Sequence, residues 1–261
     1  MRTSKVKENT RKHFRCSLLL VTCVFVTSNY CSWTEQENAP VVIELVTSQG
    51  CSGCPQAEFL LKTLAEEYGP EILPLAYHVD YCDYIGWVDP YSFPEATERQ
   101  REYQKILKNK TIYTPQAVIQ GELVLPASSR KSMELGILKY QNLSRPMLDL
   151  KIDYSLVLKK ATLTIDVPET ISKENIKILV VYFENGFPIY VTRGENAGRT
   201  LPIHHAVLKI QAVKLNDAHY YQIPIELPDD WTASLTGVAV LVEDQKHRIL
   251  TAGSIFPISL N

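Results

Sequence analysis

The sequence lacks several features by which whole classes of protein are recognised. Its 27 Lys and Arg residues nearly balance its 29 Asp and Glu residues, giving a formal net charge of −2. No polyanionic partner such as nucleic acid is therefore expected. The chain also has no low-complexity segment, no internal repeat, no glycine-rich phosphate loop and no Ser/His/Asp pattern. What remains is the composition of an ordinary globular protein, long enough for one large domain or two small ones.

Long apolar runs are almost absent, and the clearest one lies at residues 16–26. Six basic residues precede it and the polar residues 27–29 follow it, which is the pattern of a secretory signal. The run is shorter than the roughly 20 residues that span a bilayer. We therefore predict that residues 1–30 are a signal peptide and that the protein is extracytoplasmic, either secreted or periplasmic. An uncleaved signal anchor, or a lipid on Cys23 or Cys31, is the alternative that would attach it to a membrane.

Cysteine is also scarce, and beyond the first 31 residues only Cys51, Cys54 and Cys82 remain. In an oxidising compartment, two thiols as close as Cys51 and Cys54 can rest as a disulfide. The pair follows an apolar segment, residues 41–46, and a short turn, and Pro55 then opens a helical pattern. A helix N-terminus stabilises a thiolate through its dipole and free N–H groups. This strand–turn–helix arrangement is similar to the active site of thioredoxin-like proteins, whereas the spacing alone is also compatible with a structural disulfide.

The order of the predicted elements indicates an α/β fold. Up to residue 143 the pattern predicts a strand, a helix, a second strand, an aromatic and helical insertion at 81–109, a hairpin over 111–124 and a final helix over 128–140. Residues 38–143 are therefore predicted to form a thioredoxin-like domain with a central mixed sheet flanked by helices. From 147 to 261 the chain instead has about seven short β segments with turn residues between them, which predicts a sandwich-like, mostly β domain.

Several blocks of sequence follow one another in order, namely TSQGCSGCP at 47–55, the aromatic and acidic segment 78–90, TERQ at 97–100, YTPQ at 113–116 and RGEN at 193–196. Together they resemble a secreted thioredoxin-like family that is catalogued mainly as a domain of unknown function. The resemblance implies a thioredoxin-like domain with a redox cysteine pair and a C-terminal β domain, and it supplies no substrate. Cys82 departs from the expected pattern, in which a tryptophan occupies that position.

The cysteine pair and one proline are the predicted catalytic and substrate-binding residues. Cys51, at the exposed end of the helix, is the candidate nucleophile, and Cys54, one turn later, would resolve the mixed disulfide. The resemblance implies that the Thr114–Pro115 bond is cis and faces the pair, where Thr114 would offer its backbone to an extended substrate. The alternative for Pro115 is an ordinary trans turn proline, since few X–Pro bonds are cis.

Two carboxylates are candidates for proton transfer to and from the resolving cysteine. Glu44 interrupts an otherwise apolar strand, so it is expected to be paired or functional. Asp80 lies in the aromatic segment, where turn formation is an equally good explanation. Arg99 is expected to be a solvated helix charge or a partner of these carboxylates.

The leading hypothesis is a thiol–disulfide oxidoreductase that needs no cofactor and acts on protein or small-molecule thiols and disulfides, together with a redox partner. Metal handling is the first alternative, because Cys51, Cys54, His78 and Cys82 are ligand types suited to copper or zinc. Cys82 has two further interpretations, as an accessory thiol and as a structural replacement for an aromatic residue. A peroxide-reducing enzyme and a noncatalytic interaction module are also compatible with the sequence.

Overall fold

The computed structural model describes residues 38–155, 160–215, 219–225 and 235–258. The predicted signal at 1–30 lies outside these residues. In the described ranges, no helix is both long enough and apolar enough to cross a membrane.

Strands and helices alternate in the first part of the chain. The strands are β1 (Val41–Thr47), β2 (Ile72–His78), β3 (Gln116–Ile119) and β4 (Leu123–Pro126), and the helices are α1 (Cys54–Tyr68), α2 (Pro94–Ile106) and α3 (Arg130–Gln141). Proline stands in the first turn of both α1 and α2, where its missing N–H costs no helical hydrogen bond. A 3-10 helix, Asp80–Ile85, opens the segment between β2 and α2.

The second part of the chain is β-rich, as its turn-punctuated apolar segments predict. Its strands are β5 (Asp149–Ser155), β6 (Lys160–Asp166), β7 (Ile176–Glu184), β8 (Ile189–Tyr190), β9 (Thr200–Leu201), β10 (Ala206–Ala212), β11 (Tyr220–Ile225), β12 (Thr236–Asp244) and β13 (Ile249–Ile255).

Strands from both parts of the chain join one mixed sheet of eight strands, in the order β13-β12-β7-β10-β2-β1-β3-β4. The β1–β2 pair is parallel, and β10 joins β2 in parallel where Ala206 pairs with Ala76. The remaining neighbours in the sheet are antiparallel. The sheet thus continues across the boundary that the sequence suggested near residues 142–146. A separate sheet has the order β11-β6-β5.

Three apolar clusters hold these layers together. One lies between α1, α3 and one face of β1, β2 and β3. A second covers the opposite face of β1 and β2 and extends over β7, β10 and β12, beneath Ala96 of α2 and Cys82 of the 3-10 helix. The third lies between the three-stranded sheet and strands β7 and β12, so this end of the molecule is sandwich-like. The cysteine pair follows the carboxyl end of β1, between the first two clusters.

Candidate active site

Cys51 and Cys54 lie on the turn from β1 into α1, and both thiols are free. The turn is held locally, because Cys51 N–H donates to the Ser48 carbonyl at 3.2 Å and Cys54 N–H donates to the Cys51 carbonyl at 3.2 Å. Cys51 is partly exposed, whereas Cys54 is fully buried. One sulfur is therefore accessible to another molecule, and the other lies behind it.

The pKa values of the two thiols are shifted in opposite directions. A hydrogen bond from the Cys54 thiol, with help from Thr114 and from the backbone at Gly53 and Cys54, outweighs desolvation and lowers the pKa of Cys51 to about 6. The same hydrogen bond, together with burial, raises the pKa of Cys54. Near neutral pH, Cys51 is therefore a thiolate and Cys54 a thiol. This is the ionisation that nucleophilic attack by Cys51 requires.

The Thr114–Pro115 bond is cis and lies against the cysteine turn. The Cys51 sulfur is 3.7 Å from the Thr114 carbonyl oxygen, and a Cβ on Gly53 would be 3.5 Å from Pro115 Cδ. Gln100 on α2 fixes this segment, because its Nε2 donates to the Tyr113 carbonyl at 2.9 Å and to Gln116 Oε1 at 3.0 Å. The fold therefore brings the predicted pair and the predicted proline together.

A buried threonine and glutamate lie behind Cys54, and sequence reasoning missed them. The Thr47 hydroxyl donates to Glu58 Oε1 at 2.6 Å and also forms a hydrogen bond with the Cys54 thiol. Burial raises the pKa of Glu58, which makes its carboxylate a stronger base than an exposed one. The available signal was the spacing, since Glu58 follows Cys54 by four residues and so shares its helix face.

A buried His–Asp pair supports the same turn from the aromatic segment. His78 Nδ1 lies 2.7 Å from Asp89 Oδ2, and the Gln49 N–H donates to the same oxygen at 2.7 Å. Burial opposes a charged imidazole, but Asp89 overcomes it and the pKa of His78 is raised. Trp87 Nε1 donates to Gln49 Oε1 at 3.0 Å. The segment predicted as an insertion thus helps to build the site.

The loop between β8 and β9 also reaches the cysteine turn. Asn196 is buried, and its Nδ2 donates to the carbonyls of Gln49 at 2.8 Å and Cys51 at 2.9 Å. The neighbouring Glu195 accepts the Ser52 N–H at 2.9 Å. The RGEN segment, one block of the family resemblance, is therefore in direct contact with the turn that carries Cys51.

The two carboxylates predicted for proton transfer make other contacts. Glu44 is buried in an ion pair with Arg99, whose Nε lies 2.5 Å from Glu44 Oε1. Asp80 Oδ1 accepts the Thr97 hydroxyl at 2.6 Å. Arg99 is buried, so it is not a solvated helix charge. Its Nη2 also lies 3.1 Å from Glu243 Oε2.

Cys82 is near the site but is buried. Its sulfur lies 3.7 Å from the Thr114 hydroxyl oxygen, and burial raises the pKa of its thiol. Among the residues that the structure describes, no three or more His, Cys, Asp and Glu side chains are grouped to hold a metal ion. Of the proposed ligands, His78 uses Nδ1 to bind Asp89.

Two solved structures have a similar fold. The protein AGR_C_4864 from Agrobacterium tumefaciens is 23% identical, with a TM-score of 0.66 over 87% of this chain and 98% of that one. HBP35 of Porphyromonas gingivalis is 19% identical, with a TM-score of 0.62 over 84% of this chain and 75% of that one. None of the curated proteins compared matches this chain.

A family model matches residues 42–243, which include the cysteine turn, the aromatic segment and the loop that bears Glu195 and Asn196. The matched range thus contains every element that builds the candidate site. The chain belongs to the family described as protein of unknown function (DUF1223).

Proposed function

We propose that the protein is an extracytoplasmic thiol–disulfide oxidoreductase whose first part is thioredoxin-like. The observation that carries this proposal is the contrast between the two thiols of the pair. Cys51 is partly exposed and has a pKa of about 6, while Cys54 is buried with a raised pKa. One thiol is thus suited to attack another molecule and the other to complete the exchange from behind.

In the first step, the Cys51 thiolate attacks one sulfur of a partner disulfide. The partner S–S bond breaks, a Cys51–partner disulfide forms and the other partner sulfur leaves as a thiolate. The cis segment supports this step, because the Thr114 carbonyl lies beside the Cys51 sulfur and is the group proposed to bind an extended partner backbone.

In the second step, Cys54 loses its proton and attacks the Cys51 sulfur. The intramolecular disulfide forms, and the second partner sulfur leaves, so the partner disulfide is reduced to two thiols while the pair is oxidised. The Thr47–Glu58 pair supplies a route for the Cys54 proton, since the Thr47 hydroxyl contacts both groups. In the opposite direction, the same steps would transfer a disulfide from the pair to a dithiol.

The partners proposed are protein or small-molecule thiols and disulfides, with a separate redox partner that regenerates the pair. The extracytoplasmic location rests on the basic and apolar pattern of residues 1–30. No second function is proposed, because His78 is engaged by Asp89 and Cys82 is buried.

The test is to trap the intermediate. Reduced Cys54→Ser protein is mixed with 2-hydroxyethyl disulfide, and intact-mass spectrometry is expected to find one stable adduct on Cys51. The wild-type protein should lose the adduct and end as an internal disulfide.

Cys82→Ser is the matched control, because it also replaces a buried thiol with a hydroxyl. This variant should still form the Cys51–Cys54 disulfide. If Cys54→Ser accumulates no adduct on Cys51, the proposed exchange is wrong, and a noncatalytic role for the pair is favoured.

A further inference from the structure

A carboxylate from the β8–β9 loop lies at the entrance to the cysteine pair. Glu195 Oε2 accepts the N–H of Ser52, the residue directly after Cys51, at 2.9 Å. The Glu195 side chain is exposed to solvent, and its pKa is lowered by the hydrogen bonds from Ser52. Glu195 is therefore ionised at neutral pH, and its carboxylate is bound to the backbone next to the residue that bears the exposed sulfur.

The position of Glu195 is fixed by the residues on either side of it. Asn196 is buried and donates to two carbonyls of the cysteine turn. Gly194 has a φ of +75° and packs so closely on Trp87 that a Cβ would lie 3.2 Å from Trp87 Cβ. A larger residue at this position would be both strained and crowded. The charge is thus held beside Cys51 by the fold and does not depend on a freely moving side chain.

We propose that Glu195 determines partner specificity, favouring disulfides with cationic groups near the sulfurs and disfavouring anionic ones. The inference rests on the proposed exchange at Cys51 and names the substrate class for it. A charge on a partner bound through its sulfur would lie within several ångströms of the Glu195 carboxylate. At such separations in water, the interaction of Glu195 with the one partner charge nearest to it changes a rate by about three-fold.

Two exposed arginines, Arg193 and Arg199, belong to the same loop as Glu195. Arg199 Nη1 donates to Asn196 Oδ1 at 2.7 Å, so this cation lies beside Asn196. Because these cations also contribute to the local charge, the contribution of Glu195 is measured by removing its charge alone. Glu195→Gln does this and keeps an oxygen that can accept the Ser52 N–H.

The experiment follows oxidation of the reduced protein by three small disulfides at about 10 mM ionic strength, where screening is weak. The probes are cystamine, which is cationic, 3,3′-dithiodipropionate, which is anionic, and neutral 2-hydroxyethyl disulfide. In Glu195→Gln, the rate with cystamine should fall about three-fold and the rate with dithiodipropionate should rise about three-fold. The rate with the neutral disulfide should stay within about two-fold, and about 0.5 M NaCl should remove most of the difference.

Glu174→Gln is the matched control, because Glu174 is exposed just before β7 begins, whereas the site faces the end of that strand. It should leave all three rates unchanged. If the cystamine to dithiodipropionate ratio is the same in Glu195→Gln and wild type, the specificity inference is overturned while the exchange itself stands. If the wild-type protein reacts with none of the probes, or Cys51→Ser reacts as fast, the proposed function fails instead.

Discussion

Cys51 is the residue on which the proposed chemistry depends, and its environment sets its ionisation. Its usual pKa of 9.0 is lowered to about 6, chiefly by the Cys54 thiol, so the thiolate form dominates at neutral pH. Sequence reasoning named Cys51 as the proposed nucleophile and Cys54 as the proposed resolving residue from local order alone. It also predicted Thr114 opposite the pair through the resemblance, although Thr114 lies 63 residues away from Cys51 along the chain. It missed Thr47 and Glu58, which lie behind Cys54.

Alkylation of the reduced protein with iodoacetamide measures this shift. The rate at Cys51 should be nearly constant above about pH 7 and should fall about ten-fold per pH unit below pH 6, because only the thiolate reacts. Cys51→Ser should remove this phase and leave only slow reaction at alkaline pH, since burial still raises the pKa values of Cys54 and Cys82 in that variant. A midpoint near 9 for Cys51 would contradict the proposed ionisation.

At the scale of the element, helix α1 presents the proposed resolving thiol and its proposed proton acceptor on one face. Cys54 and Glu58 are both buried, one helical turn apart. The periodicity of the sequence placed Glu58 with the polar residues of the helix, because a carboxylate is normally exposed. The structure buries it because the Thr47 hydroxyl of β1 is available as a donor.

Glu58→Gln should slow the second step of the exchange and leave the first step unchanged. The amide cannot accept a proton from Cys54, and general-base contributions of this kind are about 10²-fold or more. Rapid mixing with 2-hydroxyethyl disulfide, followed by acid quench and mass spectrometry, measures adduct formation and ring closure separately.

Glu66→Gln on the exposed side of the same helix is the control, and both of its steps should match those of the wild type. Equal slowing of both steps in Glu58→Gln would indicate a general structural effect and contradict a proton-acceptor role.

At the scale of the whole molecule, a buried ion cluster joins elements that are far apart in sequence. Arg99 on α2 pairs with Glu44 on β1 and with Glu243 on β12. Burial by itself would raise the pKa of Glu243, but the Arg99 charge and His247 bring it down to about 2. The cluster thus links the first and last parts of the shared sheet through one cation.

Arg99→Met should destabilise the protein by about 3–5 kcal/mol, because it removes the cation that the buried carboxylates of Glu44 and Glu243 share. Urea unfolding followed by circular dichroism measures the loss. The difference from wild type should shrink as the pH falls towards about 4, since without Arg99 the pKa of Glu243 rises and the carboxyl becomes neutral.

Arg130→Met is the control, because Arg130 forms only exposed ion pairs with Glu67 and Glu134, and its stability should be close to that of the wild type. A loss in Arg99→Met no larger than the loss in this control would contradict the structural role of the cluster.

The sequence by itself determined the features that depend on neighbours along the chain. Apolar periodicity predicted α1, α2 and α3 and the strands between them, and the strand–turn–helix order predicted the cysteine pair as the centre of the site. These features can be predicted because the apolar spacing typical of a helix or a strand can be recognised within about ten residues.

Only the tertiary structure decided which distant groups complete the site and how the sheet is assembled. Glu44 became the partner of Arg99, while Glu58 and the Glu195–Asn196 loop came to the cysteine turn. The parallel pairing of β10 with β2 merged strands that the sequence assigned to separate domains. No local sequence pattern predicts these contacts. The partner of a buried charge or of a strand edge is set by how the chain packs in three dimensions and not by spacing along the chain.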